Sequence, residues 1–244
     1  MAFLLVRCAI ARISLALQSS AAQLARRQEG TMKEALRAVG PSLWEATTEI
    51  LLGRVYTPAR CVIVRRPEGL WIHSPLPPEP ALVEAVRGLG EVAHLVSPNR
   101  SHYLFVNRWQ ALFPGARVWR PDDLRAGAAF SGFLQQTILG APKFDETLFL
   151  HEESRSLIVT DLFLNVHQHP LFWTRFAFRV LGTYGRAKQG LFWKLRTTDR
   201  AAARASLETV LGWDFDRILP AHGEIVQEAP KETLRRACAW MLRP

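Results

Sequence analysis

The sequence predicts an α/β protein in which two sheets pack face to face between outer helices, a four-layer αββα sandwich. Three observations point there. Short apolar runs such as Cys61 to Val64 and Ala93 to Val96 recur and end in polar turns, as buried strands do. Segments with helical apolar spacing lie between them. The order of hairpins, strands and helices repeats in two similar halves, which fits two sheets with helices outside and loops gathered at one edge.

Taken in order, Pro41 to Leu52 carries Leu43, Trp44, Ile50 and Leu51 ahead of Gly53 and reads as a short helix or an irregular lead-in. Cys61 to Val64 is a strand. Arg66-Pro67-Glu68-Gly69 has Pro and Gly at turn positions, so Leu70 to His73 returns as the second arm of a hairpin. Pro80 opens a helix with Leu82, Val83, Val86 and Leu89 on one side, closed by Gly90. The Ala93 to Val96 strand leads into the polar turn Ser97 to His102. A helix follows, in which Phe105, Trp109, Leu112 and Phe113 fall at i, i+4, i+7 and i+8.

Ala116 to Trp119 is the next strand, and residues 121–140 have mixed character. Thr147 to Leu150 and Leu157 to Thr160 form a second hairpin that ends at Asp161. Residues 163–196 are dense in aromatic side chains. Asp199 is placed to N-cap a helix over Arg200 to Leu211, Phe215 to Leu219 is a strand closed by Pro220-Ala221-His222-Gly223, and Pro230 starts a terminal helix with Leu234, Cys238 and Met241 on one face.

A chain of 244 residues is long enough to bury a real core, and 48% hydrophobic with 22% charged residues is a soluble globular composition, which excludes a disordered or fibrous protein. The net charge of +9 comes from scattered Arg rather than from a basic run, so it permits an anionic partner without supplying a nucleic-acid motif. The three Cys, at 8, 61 and 238, make no paired motif, which points to a reducing compartment and leaves cysteine out of any metal site.

Residues 1–31 are set apart from the domain at 32–244. Arg7, Arg12, Arg26 and Arg27 precede the first acid, Glu29. Two of them interrupt the apolar stretch Met1 to Leu17, so it falls short of the ~20 apolar residues a membrane span needs. This segment reads as a leader, a disordered arm or a mis-assigned start. The expected location is cytoplasmic, or organellar if residues 1–31 are a transit peptide.

Polar residues end four strands: His73, the Ser97 to His102 turn, Asp161 and His222. Sites in open α/β sheets form at the carboxyl ends of strands, and imidazoles with a carboxylate suit Zn, Fe or Mn. Each residue alone is equally open to a structural role. Asp161 could cap a helix, and Asn99, Ser101, His102, Asp161 and His222 could form a hydrogen-bonded polar cluster that holds no metal.

Five segments in sequence carry a resemblance: Leu-Trp-Ile-His-Ser-Pro (70–75), Ser-Pro-Asn-Arg-Ser-His (97–102), Phe-Pro-Gly-Ala-Arg-Val-Trp (113–119), Ser-Leu-Ile-Val-Thr-Asp-Leu (156–162) and Trp-Asp-Phe-Asp-Arg-Ile-Leu-Pro-Ala-His-Gly (213–223). Over residues 41–242 the chain resembles the metallo-β-lactamase superfold, and more closely a bacterial and plant family of unknown function made of degenerate members of it. The superfold's His-x-His-x-Asp-His motif falls on Ser97, Asn99, Ser101 and His102, so only its last His remains. The third-motif His is expected near Gly140 to Lys143, where there is none; the bridging Asp matches Asp161, the final His matches His222, and His73 stands where an Asp is usual.

The resemblance therefore implies that one of the two metal positions is lost. The other keeps His102, Asp161 and His222 and could hold one Zn, Fe or Mn ion, with His73, Ser97, Asn99 and Ser101 lining the old pocket. Two functions follow as expectations: a non-catalytic or ligand-binding protein that uses this pocket for a small molecule, or a mononuclear metal-dependent hydrolase. A basic module at a membrane surface or on nucleic acid is a third. His151 reads as structural. The 163–196 segment, with His167 and His169, reads as a lid, a substrate wall or membrane contact, or as a helix pair packed on the domain. The oligomeric state is left open.

Overall fold

In a computed structural model, residues 35–127 and 129–243 are described. The leader at 1–31 lies outside them. The strands are β1 (Arg37–Gly40), β2 (Leu43–Leu52), β3 (Val55–Arg66), β4 (Gly69–His73), β5 (Val92–Val96), β6 (Arg117–Trp119), β7 (Phe133–Ile138), β8 (Glu146–His151), β9 (Ser156–Val159) and β10 (Arg217–Pro220). The helices are α1 (Pro80–Leu89), α2 (Val106–Leu112), α3 (Pro121–Arg125), α4 (Phe172–Val180), α5 (Leu191–Arg196), α6 (Arg200–Leu211), α7 (Pro230–Ala237) and α8 (Ala239–Leu242).

The strands make a six-stranded sheet in the order β1-β2-β3-β4-β5-β6 and a four-stranded sheet in the order β10-β9-β8-β7. Alternation along β3 shows how the layers arise. Cys61 and Ile63 pack with Leu82, Val86 and Trp109 of α1 and α2, whereas Val62 and Val64 pack with Phe149, Ile158 and Leu219 of the other sheet. A third cluster joins the outer face of the second sheet, through Leu148, Leu157 and Ile218, to Leu207 of α6 and Leu234 and Met241 of α7 and α8. Helix, sheet, sheet, helix is the predicted αββα order.

Two expectations are corrected. Pro41 to Leu52 is not helix: Leu43–Leu52 is a full strand, antiparallel to β3 from Leu43↔Val64 to Leu52↔Val55. Thr47, Thr48 and Ile50 are β-branched, and a long partner strand lets the backbone pair throughout. The mixed stretch at 121–140 contains β7, which pairs with β8 from Phe133↔His151 to Ile138↔Glu146. Its two Gln, at 135 and 136, hide the apolar ends. The terminal helix breaks at Cys238 but still buries Leu234, Cys238 and Met241. Asp199 caps α6 as predicted, its carboxylate accepting from Ala202 N–H at 3.0 Å. Cys61 and Cys238 are free and buried, and burial pushes the Cys61 thiol up to about 12, so it is an inert core residue.

Parallel pairing of β4 with β5, β5 with β6, and β9 with β10 sends their carboxyl ends to the same edge. His73, the Ser97 turn, Asp161 and His222 all leave from it.

Candidate metal centre

Three side chains meet at that edge. His102 Nε2 lies 3.3 Å from His222 Nε2 and 3.5 Å from Asp161 Oδ2, and His222 Nε2 lies 3.2 Å from Asp161 Oδ1. A tetrahedral ion with bonds of about 2.0–2.2 Å spaces its ligand atoms about 3.3–3.6 Å apart. The two Asp161 distances run to its two different oxygens; with one ligand atom from each residue, the three atoms lie within 4.8 Å of one another, on the scale of a single ion's ligand shell. Among the described residues this trio is the only group of three or more His, Cys, Asp or Glu gathered in this way. Its side chains are 11–16% exposed, so the trio is sunk in the protein yet reachable by solvent.

Each ligand atom is aimed by a neighbour. His222 Nδ1 donates to the Pro58 carbonyl at 2.7 Å, which leaves the Nε2 lone pair of the neutral ring facing the trio. His102 Nδ1 bonds the Ser74 hydroxyl. Asp161 is fixed on both sides of its Cα: its N–H donates to Glu146 at 2.7 Å, and its carbonyl accepts from Trp193 Nε1 at 2.7 Å. Its Oδ2 also accepts from Asn99 Nδ2 at 2.9 Å.

The His222 loop is clamped from β3. Arg60, buried with Glu45, donates Nε to that carboxylate at 2.6 Å, Nη2 to the Gly223 carbonyl at 2.8 Å, and Nη1 to the Pro220 carbonyl. Gly223 has φ +101°, and a Cβ there would run into the Asn165 carbonyl oxygen. That is the physical reason glycine follows His222.

Electrostatics fit a cationic centre. Burial would raise the Asp161 carboxyl, but the charge and hydrogen bond of His102, and then of His222, hold it well below the usual carboxylate range. Burial opposes protonation of His222, yet its hydrogen bond to Asp161 and that residue's charge outweigh it and raise the imidazole. Glu146 is pushed up to about 7, first by burial and then by the Asp161 charge, offset by the backbone N–H groups it accepts.

The other predicted pocket residues sit differently. Asn99 Oδ1 accepts from the N–H groups of Ser101 and His102 at 2.8 and 3.0 Å, while its Nδ2 donates to Asp161 and to Thr160. Ser97 donates its hydroxyl to the Asn99 carbonyl at 3.0 Å. His73 is buried and stacked on Trp71, with Nε2 unpartnered. Burial, and then His102, push its pKa well down, so it is a neutral wall of the pocket. His151 bonds Ser154 at 2.7 Å inside the hairpin, His167 bonds Asn165, and His169 bonds Glu49; none joins the trio. Sequence reasoning missed Pro58, Ser74, Arg60 and Glu146. Ser74 directly follows His73, whereas a backbone carbonyl such as that of Pro58 leaves no signal in the sequence.

Structures similar to this chain include a metallo-β-lactamase from Hirschia baltica, at 10% identity and a TM-score of 0.57, covering 86% of this chain and 97% of that one. The metallo-β-lactamase FIM-1 from Pseudomonas aeruginosa, in its mono-zinc form, matches at 11% identity and 0.56, covering 88% and 97%. A diflavin flavoprotein fragment from Nostoc sp. PCC 7120 matches at 10% and 0.58, covering 88% and 96%. This chain has the metallo-β-lactamase fold. Residues 42–124, from β2 to α3, match the model of a family described as a domain of unknown function, DUF4336, which bears out the resemblance read from the sequence. No curated protein sequence matches the chain.

Within this fold the trio lies at the shared strand-end edge, and the Ser97 to His102 turn lies inside the family-matched segment. No helix among the described residues is long and apolar enough to cross a membrane.

Proposed function

We propose that the protein is a mononuclear metal-dependent hydrolase whose single Zn, Fe or Mn ion is held by His102, Asp161 and His222. The observation that carries this is the gathering of their ligand atoms: the two ring Nε2 atoms are 3.3 Å apart, and each lies within 3.5 Å of a different oxygen of Asp161. Bound there, the ion would supply Lewis-acid activation of water. The chain's own residues do the rest. Ser74 and Pro58 hold the two rings in register, Asn99 and Glu146 orient the carboxylate, and the partly open face admits water and a small substrate.

A second ion is disfavoured by the chemistry of the neighbouring turn. The Asn99 amide nitrogen is a donor with no lone pair to offer, its oxygen serves two backbone N–H groups, and Ser97 offers only a neutral hydroxyl in place of an imidazole. The similarity to a lactamase described in a mono-zinc form supports a one-metal reading of the fold. A non-catalytic, ligand-binding use of the pocket is favoured by one observation: two imidazoles and an amide are partners of Asp161 within the protein itself.

Assays of chelator-stripped and metal-reloaded protein on ester, amide and phosphoester substrates decide between them. Turnover that needs the metal and disappears in Asp161→Asn supports the hydrolase. Stoichiometric metal uptake with no turnover on any class assigns the pocket to binding.

A further inference from the structure

We propose that α4 and α5 form a docking surface for an anionic lipid bilayer. This stands apart from the metal reading. The exposed side of α4 carries Phe172, Trp173, Phe176 and Val180, each at least half exposed, while Thr174 and Phe178 face inward. Leu191 and Leu195 of α5 are 48% and 57% exposed. Scattered apolar residues are ordinary on a surface, but the three mutually packed aromatic rings of α4 form a patch, and the next helix in the chain, α5, exposes two more leucines.

The charge of the segment names the occupant, with Arg186 and Lys188 lining a neighbouring cavity beside Glu224 and Glu228, and Glu49 bonding His169 ahead of α4. Between Asp161 and Asp199 the sequence has no acid, yet it holds Arg175, Arg179, Arg186, Lys188, Lys194 and Arg196. Trp, Phe and Leu on one side with Lys and Arg around them is the composition of an interfacial helix that sinks into the headgroup boundary of anionic lipid. A second copy of the same patch would bring like charges together. The chain's own first 28 residues, basic and without an acid, would be repelled for the same reason. Nucleic acid would be read by aromatic stacking, which leaves the aliphatic Val180, Leu191 and Leu195 without a role.

Both helices are tied to the body of the domain. Thr174 Oγ1 accepts from Tyr56 N–H at 3.0 Å, tying α4 to the β2–β3 tip. Trp193 of α5 is buried and donates to the carbonyl of Asp161. Docking would therefore hold the strand-end edge close to the lipid surface.

Co-sedimentation of the full chain with vesicles tests this. Expected is binding to phosphatidylcholine containing about one third phosphatidylglycerol and at least about tenfold less to phosphatidylcholine alone. The double variants Phe172→Ser/Trp173→Ser and Lys194→Glu/Arg196→Glu, and about 0.5 M salt, each lower it by about tenfold or more. All four side chains are exposed, so an unchanged melting temperature serves as the fold control. The proposal is overturned if the anionic vesicles are not bound, or if both variants bind as the parent does. It is also overturned by a dimer that Phe172→Ser/Trp173→Ser dissolves, or by preference for an oligonucleotide over the vesicles.

Discussion

Two sides of one pocket, built from similar polar residues, behave in opposite ways. On the His102–Asp161–His222 side the ring nitrogens away from the centre are engaged by Ser74 and Pro58, so the remaining lone pairs converge. On the Ser97–Asn99–Ser101 side the oxygens serve the backbone of their own turn, and the Asn99 amide nitrogen donates across to Thr160 and Asp161. Residue type at a strand end therefore does not make a ligand. What makes one is a lone pair that the protein leaves unspent and a neighbour that aims it. The first side has the order of a centre, the second the order of a turn.

The largest way to break this contrast is through the clamp under His222. Arg60→Ala leaves the buried Glu45 with only Arg37, whose side chain is more than half exposed, and strips two carbonyls of donors. A loss of about 3–5 kcal/mol in stability is expected in a urea titration, together with weakened metal binding. The double variant Arg60→Met/Glu45→Leu should recover most of the stability and none of the metal affinity. If Arg60→Ala melts like the parent, the clamp does not hold the loop.

Ser74→Ala sharpens the contrast at the ring of His102. The imidazole loses the group that aims it, and zinc affinity by competition titration should fall about 10- to 100-fold while the fold stays intact. Unchanged affinity would mean that the ring needs no aiming.

The pH dependence comes next, and its sign follows from His222. Its pKa is raised, so below the raised value a proton occupies the nitrogen the metal needs. Affinity should climb with pH by up to about tenfold per unit and level off above that value. In metal-free protein the same proton is stabilising: its contribution is full below the ordinary imidazole range and is lost as pH rises through the raised value. Chelator-treated protein should thus lose melting temperature across this window relative to the zinc-loaded form. Parallel curves would show that His222 does not bind the ion.

The smallest effect belongs to the other side. Ser97→Ala removes one hydroxyl bond inside the turn, worth about 1 kcal/mol, and should leave metal stoichiometry unchanged. A drop in bound metal would return Ser97 to the ligand set.

Much of this was legible in the sequence where local chemistry decides. Pro80, Asp199 and the Pro67–Gly69 turn fixed element ends because their backbone and capping preferences are local. The trio was legible because Asp161, His222 and the turn that carries His102 each follow a strand, and because the resemblance aligned these three residues with metal ligands. The β2 strand was not, since its partner β3 lies across a turn and pairing overrides the weak signal of Leu43 and Trp44. Arg60 was invisible as a clamp: its acceptors, the carbonyls of Pro220 and Gly223, are brought to it only by the fold.

The central claim, one ion on one side of the pocket, is tested most directly by counting metal. Protein loaded with excess zinc and dialysed should hold about one ion per chain by elemental analysis, and Asp161→Ala, folded by circular dichroism, should hold almost none. Two ions in the parent, or equal metal in parent and variant, would contradict it.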